Sequence, residues 1–372
     1  MTNNTKALYK SRTDFQPQLD TFKRRTLRQM ENVQTPYYPI CVKDLISIKV
    51  CPLCRNSHIV PIAQVYLKDR FTFFSTGVCQ SCGFVFRTIS PSYAWFQKRW
   101  RQIRTDSLEP FNPAIEKIRR RRYMQYLRLI RKYKPSGSLL DIGAANGTGS
   151  ALLHEYGYDV NCIEPEDNKA LIITNKHGLP LVANDIEKFL NRTSIKQYDV
   201  VVFAHCLEHL DNPVKVMRKI RRAIKPDGLL YLEVPIMKNF VTWSDALYLT
   251  HKSNFTKETL TYLTETCGFE TLETRRFRHS RSEPLDFGMV LRPIQNTFKS
   301  IKSIKKITAK DIITICNLYR RGLPPAFRNF PAKILRYEVN AIEQFYCTLR
   351  LDHKSLKVPA DPNGAITFEQ HS

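Results

Sequence analysis

The sequence predicts an α/β protein built on a doubly wound, seven-stranded sheet, with a small cysteine-bearing module ahead of it and basic helical flanks. Three observations predict this. Residues 138–292 alternate strand, turn and helix. The first strand of that block runs into a glycine-rich turn, Leu139-Leu-Asp-Ile-Gly-Ala-Ala-Asn-Gly-Thr-Gly149. Two Cys-x-x-Cys pairs, Cys51/Cys54 and Cys79/Cys82, stand upstream.

The α/β block reads element by element. SLLDIG is an apolar strand, and GSALLHEYG is a helix closed by Gly157. DVNCIEPE is a second strand, followed by the helix NKALIITNKHG, which stops at Gly178. PLVAND is a short third strand and YDVVVFAHCL a fourth. NPVKVMRKIRRAIKPDG is a helix expected to end at Gly228, and GLLYLEVP is a fifth strand. KETLTYLTETCGF is a helix with Asn254 or Thr256 placed to cap it. FETLETRRF and PLDFGMVLRP are strands with no helix between them, which predicts an antiparallel strand near one edge. Alternation of this kind gives a parallel sheet with helices on both faces.

The remainder divides into a basic extension over 1–50, the cysteine module over 51–90, a basic helical connector over 91–137 and a basic C-terminal region over 293–372. That last region has helix-like stretches, KDIITICNLYRR and ILRYEVNAIEQFYCTLRL. The 372 residues carry 58 Lys/Arg against 34 Asp/Glu, a net charge of +24. The excess is concentrated at the ends: 26 basic and 8 acidic residues over 1–137, 15 and 18 over 138–275, 17 and 8 over 276–372. Basic flanks suit an anionic partner such as RNA, phospholipid headgroups or a phosphorylated substrate. They equally suit solvated helix faces, as with Arg119–Arg122 in IEKIRRRRYMQYLRLIRKY. No apolar run reaches the roughly 18 residues of a membrane-spanning helix. The opening MTNNTKALYK lacks the apolar core of a secretory signal, so a cytoplasmic location is expected.

The four paired cysteines match two knuckles of a structural Zn²⁺ site, each presenting two thiolates from one tight turn across a 24-residue spacer. Gly83 supplies positive φ to the second turn. Four sulfur ligands leave no open coordination position, so the role expected of this ion is structural. The competing readings are two disulfides, disfavoured in a reducing compartment, or four unrelated thiols. Cys162, Cys206 and Cys267 read as small core residues.

The glycine turn discriminates between ligands. A P-loop needs Lys after the glycines, and none follows. The dinucleotide fingerprint Gly-x-Gly-x-x-Gly fails at Ala145 and Thr148. What remains is Asp141-x-Gly143-x-Ala145-x-Gly147, a tight bend before a helix N-terminus that attracts an anion. A carboxylate at that N-terminus and an ammonium at Asp141 together describe an amino acid. Glu164 ends the next strand, where an acidic residue hydrogen-bonds a ribose diol. Asp185 and the Ile186 N–H end the third, placed for an adenine amino group and ring nitrogen. Amino acid, ribose and adenine compose S-adenosylmethionine.

With these motifs in order (LLDIGAANGTG, IEPE, ANDIEKF, YDVVVFAHCLEHLDNP, IKPDGLLYLEVP and a late CGF), residues 138–292 resemble a class I S-adenosylmethionine-dependent methyltransferase with its Rossmann-like sheet. The resemblance implies cofactor binding at Asp141, Gly143, Ala145, Gly147, Glu164, Asp185 and Ile186, with His205 beside the pocket. A zinc ribbon ahead of such a domain is similar to the sugar C-methyltransferases of deoxysugar pathways. Those enzymes carry a large C-terminal domain where this chain has about 80 residues. Their His-Glu-His and Tyr-Phe-Ser run is here Leu-Thr-His251-Lys-Ser-Asn-Phe255-Thr.

His205-Cys-Leu-Glu208-His209 spells an inverted zinc-protease motif, but that motif needs a long helix, and here it ends a strand with Pro213 close behind. In the methyltransferase reading these residues rim the reactive methyl. Some ubiquinone-type O-methyltransferases resemble the stretch and hold a divalent metal there; the plainer reading is structural hydrogen bonding by Glu208 and His209. His251 and His209 are the candidate bases, a neutral imidazole being suited to proton removal near pH 7. The expected acceptor is a small molecule or glycan, anionic or phosphate-linked, methylated at a hydroxyl or activated carbon. The alternatives are an RNA methyltransferase gripping phosphates through its basic flanks, and a binding protein that kept the fold without catalysis.

Overall fold

A computed structural model describes residues 44–67, 72–102, 113–237, 250–277, 286–294, 335–339 and 345–349. The basic extension before residue 44, the KDIITICNLYRR stretch and the C-terminal tail lie outside these residues.

The N-terminal part is a small antiparallel sheet of β1 (Leu45–Ser47), β2 (Ile59–Leu67), β3 (Thr72–Cys79) and β4 (Val85–Pro91), in the order β1-β4-β3-β2. Helices α1 (Tyr93–Gln102) and α2 (Pro113–Ile130) connect it to the α/β block. There follow β5 (Gly137–Ile142), α3 (Thr148–Glu155), β6 (Tyr158–Ile163), α4 (Asp167–His177), β7 (Leu181–Ala183), α5 (Ile186–Leu190), β8 (Tyr198–Ala204), a 3₁₀ turn at Leu207–His209, α6 (Pro213–Arg222) and β9 (Ile224–Pro235). The block closes with β10 (Ser253–Asn254), α7 (Lys257–Thr266), β11 (Phe269–Phe277) and β12 (Asp286–Pro293).

The main sheet has seven strands in the order β11-β12-β9-β8-β5-β6-β7. Strands β5 to β9 are parallel, and β12 runs antiparallel between β9 and β11. The antiparallel strand therefore lies one place in from the edge. Burial on both faces explains the unbroken apolar runs: along β8, Val200 and Val202 pack into one core, Val201 and Phe203 into the other. The first core takes Tyr126, Leu127 and Ile130 from α2. The second is continuous with Phe84, Phe86 and three of the paired cysteines, so the cysteine module packs on the main sheet. Strand order reverses between β5 and β8, which sets the ligand crevice at their carboxyl ends.

Two sequence expectations are corrected. The helix expected to reach Gly228 stops at Arg222, and Ile224–Gly228 already belongs to β9, with Ile224 paired to Tyr198. Pro226 forces this: it lacks an N–H and pushes Lys225 toward extended backbone. The helix expected over ILRYEVNAIEQFYCTLRL is instead an antiparallel pair, β13 (Leu335–Val339) with β14 (Phe345–Leu349). Leu-Arg-Tyr-Glu-Val alternates with period two, and Phe-Tyr-Cys-Thr-Leu is rich in aromatic and β-branched residues. No helix among the described residues is long and apolar enough to cross a membrane.

Candidate active site

The glycine turn between β5 and α3 is a run of left-handed backbone, with φ of 79° at Gly143, 50° at Ala145 and 77° at Gly147. Bare backbone is needed at Gly143, where a Cβ would lie 2.2 Å from the Cys206 sulfur. Asp141 sits under this turn, 1% exposed, accepting from Ser150 Oγ at 2.6 Å and Tyr123 Oη at 3.0 Å. Burial raises its carboxyl to about 6, against the pull of those two hydroxyls. Asp141 thus ties the end of β5 to α3 and to α2. Glu164 lies above it, accepting from the Ala145 N–H at 2.8 Å and the Glu166 N–H at 2.9 Å. Burial raises its carboxyl to about 7, with Lys169 the main opposing influence. Asp185 caps α5 by accepting from the Lys188 N–H at 3.0 Å, and Ile186 is the first residue of that helix.

The α2 helix clamps the same turn from outside. Glu116 accepts from Asn146 Nδ2 at 2.6 Å and from the Thr148 hydroxyl, while the Tyr123 ring packs on Gly149. Sequence reasoning missed both residues; the acidic Glu116 inside an otherwise basic helix was the one signal available. Arg119 pairs with Glu116, and Arg120 makes two bonds to Glu155 at 3.0 and 2.8 Å, so the Arg119–Arg122 run supplies ion pairs to α2 and α3.

At the end of β8, His205 takes φ of 54°. Its Nε2 lies 3.1 Å from Glu233 and 3.5 Å from Asp286. Burial disfavours the imidazolium, but Asp286 and Glu233 outweigh it and raise His205 to about 10. Glu233 also accepts from Tyr126 at 2.6 Å and Tyr231 at 2.5 Å. The next residues form a 3₁₀ turn, too short for a zinc-protease helix, and both histidines approach Glu208 Oε1, His205 Nδ1 at 3.7 Å and His209 Nε2 at 3.9 Å. His209 Nδ1 lies 3.0 Å from the Thr250 carbonyl, the geometry of a donated N–H···O bond. Its ring stands 4.9 Å from that of His251. Burial pushes His251 well below the ordinary imidazole range, helped by His209, Arg87 and His205 and opposed by Asp286. His251 is therefore neutral at physiological pH. Glu208, 1% exposed and raised by burial, has no hydrogen bond to either carboxylate oxygen among the described residues. Glu208, His209 and His251 bring ligand atoms within 4.8 Å of one another, as do His205, Glu233 and Asp286.

The Cys51, Cys54, Cys79 and Cys82 sulfurs also lie within 4.8 Å of one another. Cys51 and Cys82 are 3.7 Å apart, Cys54 and Cys79 3.5 Å. Four sulfurs around a tetrahedral Zn²⁺ at about 2.3 Å stand about 3.8 Å apart, whereas a disulfide closes to about 2 Å. The cluster fits an ion and not a pair of disulfides. Gly83 adopts φ of 72°, and its N–H donates to the Cys79 carbonyl at 2.9 Å, forming the second knuckle.

Residues 115–274 match a family model described as a methyltransferase domain. These residues form a methyltransferase domain. Comparison with curated proteins finds no match. Among solved structures, the chain is similar to the 1,6-didemethyltoxoflavin-N1-methyltransferase of Burkholderia thailandensis with bound S-adenosylhomocysteine (16% identity, 51% of this chain and 94% of that one, TM-score 0.38). It is similar also to the N-methyltransferase NodS of Bradyrhizobium japonicum, in complex with S-adenosylhomocysteine (17%, 53% and 96%, TM-score 0.41). A third is an S-adenosylmethionine-dependent methyltransferase of Mesorhizobium loti (13%, 45% and 96%, TM-score 0.38). Within the methyltransferase domain, the glycine turn, Glu164 and Asp185 follow successive parallel strands on one side of β5, and His205–His209 follow β8 on the other. The switch point lies between these two sets.

Proposed function

We propose that this methyltransferase moves the sulfonium methyl of S-adenosylmethionine onto a hydroxyl or activated carbon of a small-molecule or glycan acceptor, anionic or phosphate-linked. The observation that carries the reading is the half-buried His251, its ring 4.9 Å from that of His209 and its imidazole held well below the ordinary range by burial and by His209, next to a crevice whose other wall is the glycine turn. The backbone of Gly143, Ala145 and Gly147 receives the cofactor's amino-acid end, and Asp141 ties the end of β5 to α3 and α2. Glu164 takes the ribose diol, Asp185 and the Ile186 N–H the adenine, and His205 borders the methyl. His251 or His209 accepts the acceptor's proton. The acceptor oxygen or carbon forms its bond to the methyl carbon as the S–C bond breaks, and the electron pair stays on sulfur as a neutral thioether. The four cysteines hold a structural Zn²⁺.

Incubation with methyl-labelled S-adenosylmethionine and fractionated cell extract tests the acceptor class. Label in ribonuclease-resistant, phosphatase-sensitive small molecules or glycans supports the proposal. Label confined to ribonuclease-sensitive material instead assigns the protein to RNA methylation.

A further inference from the structure

The segment Thr250–Thr256, which carries His251, is held on two sides by different parts of the molecule. On one side is the methyltransferase sheet: the Lys252 N–H donates to the Glu208 carbonyl at 2.7 Å, the Met237 N–H to the Phe255 carbonyl at 2.9 Å, and Phe255 bridges to Ile236. On the other is the cysteine module. Strand β10 adds to the edge of β4, with Ser253 opposite Phe86 and Asn254 opposite Val85, and the Arg87 N–H donates to the Lys252 carbonyl at 2.8 Å.

The connection from the thiolates to His251 is short. Phe84 follows the second knuckle directly, its carbonyl accepting from the Cys79 N–H at 2.9 Å. Its ring packs 5.4 Å from that of Phe255. Three residues on, Arg87 is 1% exposed, donates to the Thr76 hydroxyl, and contributes to the field around His251. A buried guanidinium is costly and is tolerated where its charge or its donors are used.

We propose that β4 of the cysteine module is part of the transfer site, seating the His251 segment through the β4–β10 ladder with Arg87 as a positioning residue. The module then assembles the acceptor side of the crevice and leaves the cofactor side, built on β5 and β6, to the main sheet. This deepens the proposed function and rests on it for the role of His251. The charged and titratable groups around His251 are Glu208, His209, His205 and Asp286 from the methyltransferase domain and Arg87 from the module. Removing Arg87 takes away one of the influences that, after burial, hold the His251 imidazole below its ordinary range.

The test uses the full chain, as purified and after treatment with a zinc chelator, with the variants Arg87→Met and Arg87→Lys. Hydrogen exchange is followed in peptides spanning 84–88 and 250–256, histidine titration by NMR, and S-adenosylhomocysteine binding by calorimetry. Chelation should speed exchange in both peptides at least tenfold while cofactor affinity changes less than about threefold. Arg87→Met should move the His251 midpoint upward, and Arg87→Lys should restore it. Unchanged exchange in 250–256 after metal loss, or an unmoved His251 in Arg87→Met, overturns the proposal. Collapse of cofactor affinity in step with metal loss also overturns it, because the module then supports the whole domain. Failure of the untreated protein to bind S-adenosylhomocysteine would count against the proposed function instead, and the exchange result would still stand or fall alone.

Discussion

Replacing Asp141 by Asn should make the cofactor-free protein more stable at neutral pH while leaving it nearly unchanged in acid. Asp141 is 1% exposed, and burial raises its carboxyl from 3.8 to about 6. A carboxyl raised on folding contributes its stability fully below the unfolded pKa and loses it as pH climbs through the folded value. Wild type should therefore carry a penalty that grows between pH 4 and pH 6 and is constant above. A rise of that size corresponds to about 3 kcal/mol. Asn keeps an acceptor for one of the two hydroxyls and cannot ionise, so it removes the penalty at the cost of one rearranged hydrogen bond. For a domain of this size the melting temperatures at pH 7.5 should differ by roughly 6–12 °C, and at pH 4.5 by much less. Differential scanning calorimetry at both pH values measures the difference, in which the titrations of His205 and His251 cancel. A gap that is the same at both pH values, or an Asn variant less stable at pH 7.5, would refute the reasoning.

Three further outcomes follow from the same geometry. Glu164→Gln should weaken S-adenosylhomocysteine binding at least tenfold by calorimetry, because Glu164 supports the Ala145 and Glu166 amides as well as the proposed ribose contact. His251→Ala should bind the cofactor within about twofold of wild type yet lower single-turnover transfer by about 10²–10⁴, the usual contribution of a general base; an unchanged rate would remove His251 from the mechanism. Metal analysis of the purified protein should return one zinc per chain, and Cys82→Ser should lose it together with several degrees of melting temperature; retention of the metal by Cys82→Ser would contradict four-cysteine ligation.

The elements legible in the sequence were those set by local pattern. Val200–Phe203 reads as a doubly buried strand because no residue in it tolerates solvent on either face. Gly178 ends α4 because it takes φ of 65° there, and Thr256 caps α7 through a reciprocal bond with Thr259. The two knuckles and the glycine turn were legible for the same reason, their chemistry being contained within a few residues. What escaped depends on residues that the chain brings together from afar. Tyr126 bonds Glu233 across 107 positions, Tyr123 and Glu116 reach the glycine turn from a helix that reads as surface, and Arg87 meets the His251 segment, through its bond to the Lys252 carbonyl, only because β10 joins β4. The pairing of His205 with Glu233 and Asp286 likewise needs the β12 strand to insert beside β9, which no local motif announces.

Calorimetric titration with S-adenosylhomocysteine tests the central claim most directly, since everything assigned to the crevice assumes that it holds this nucleoside. The account predicts saturable heat at one molecule per chain, diminished in Glu164→Gln and indifferent to nicotinamide dinucleotides and nucleoside triphosphates. Absence of heat with S-adenosylhomocysteine, alongside tight binding of one of those nucleotides, would contradict it.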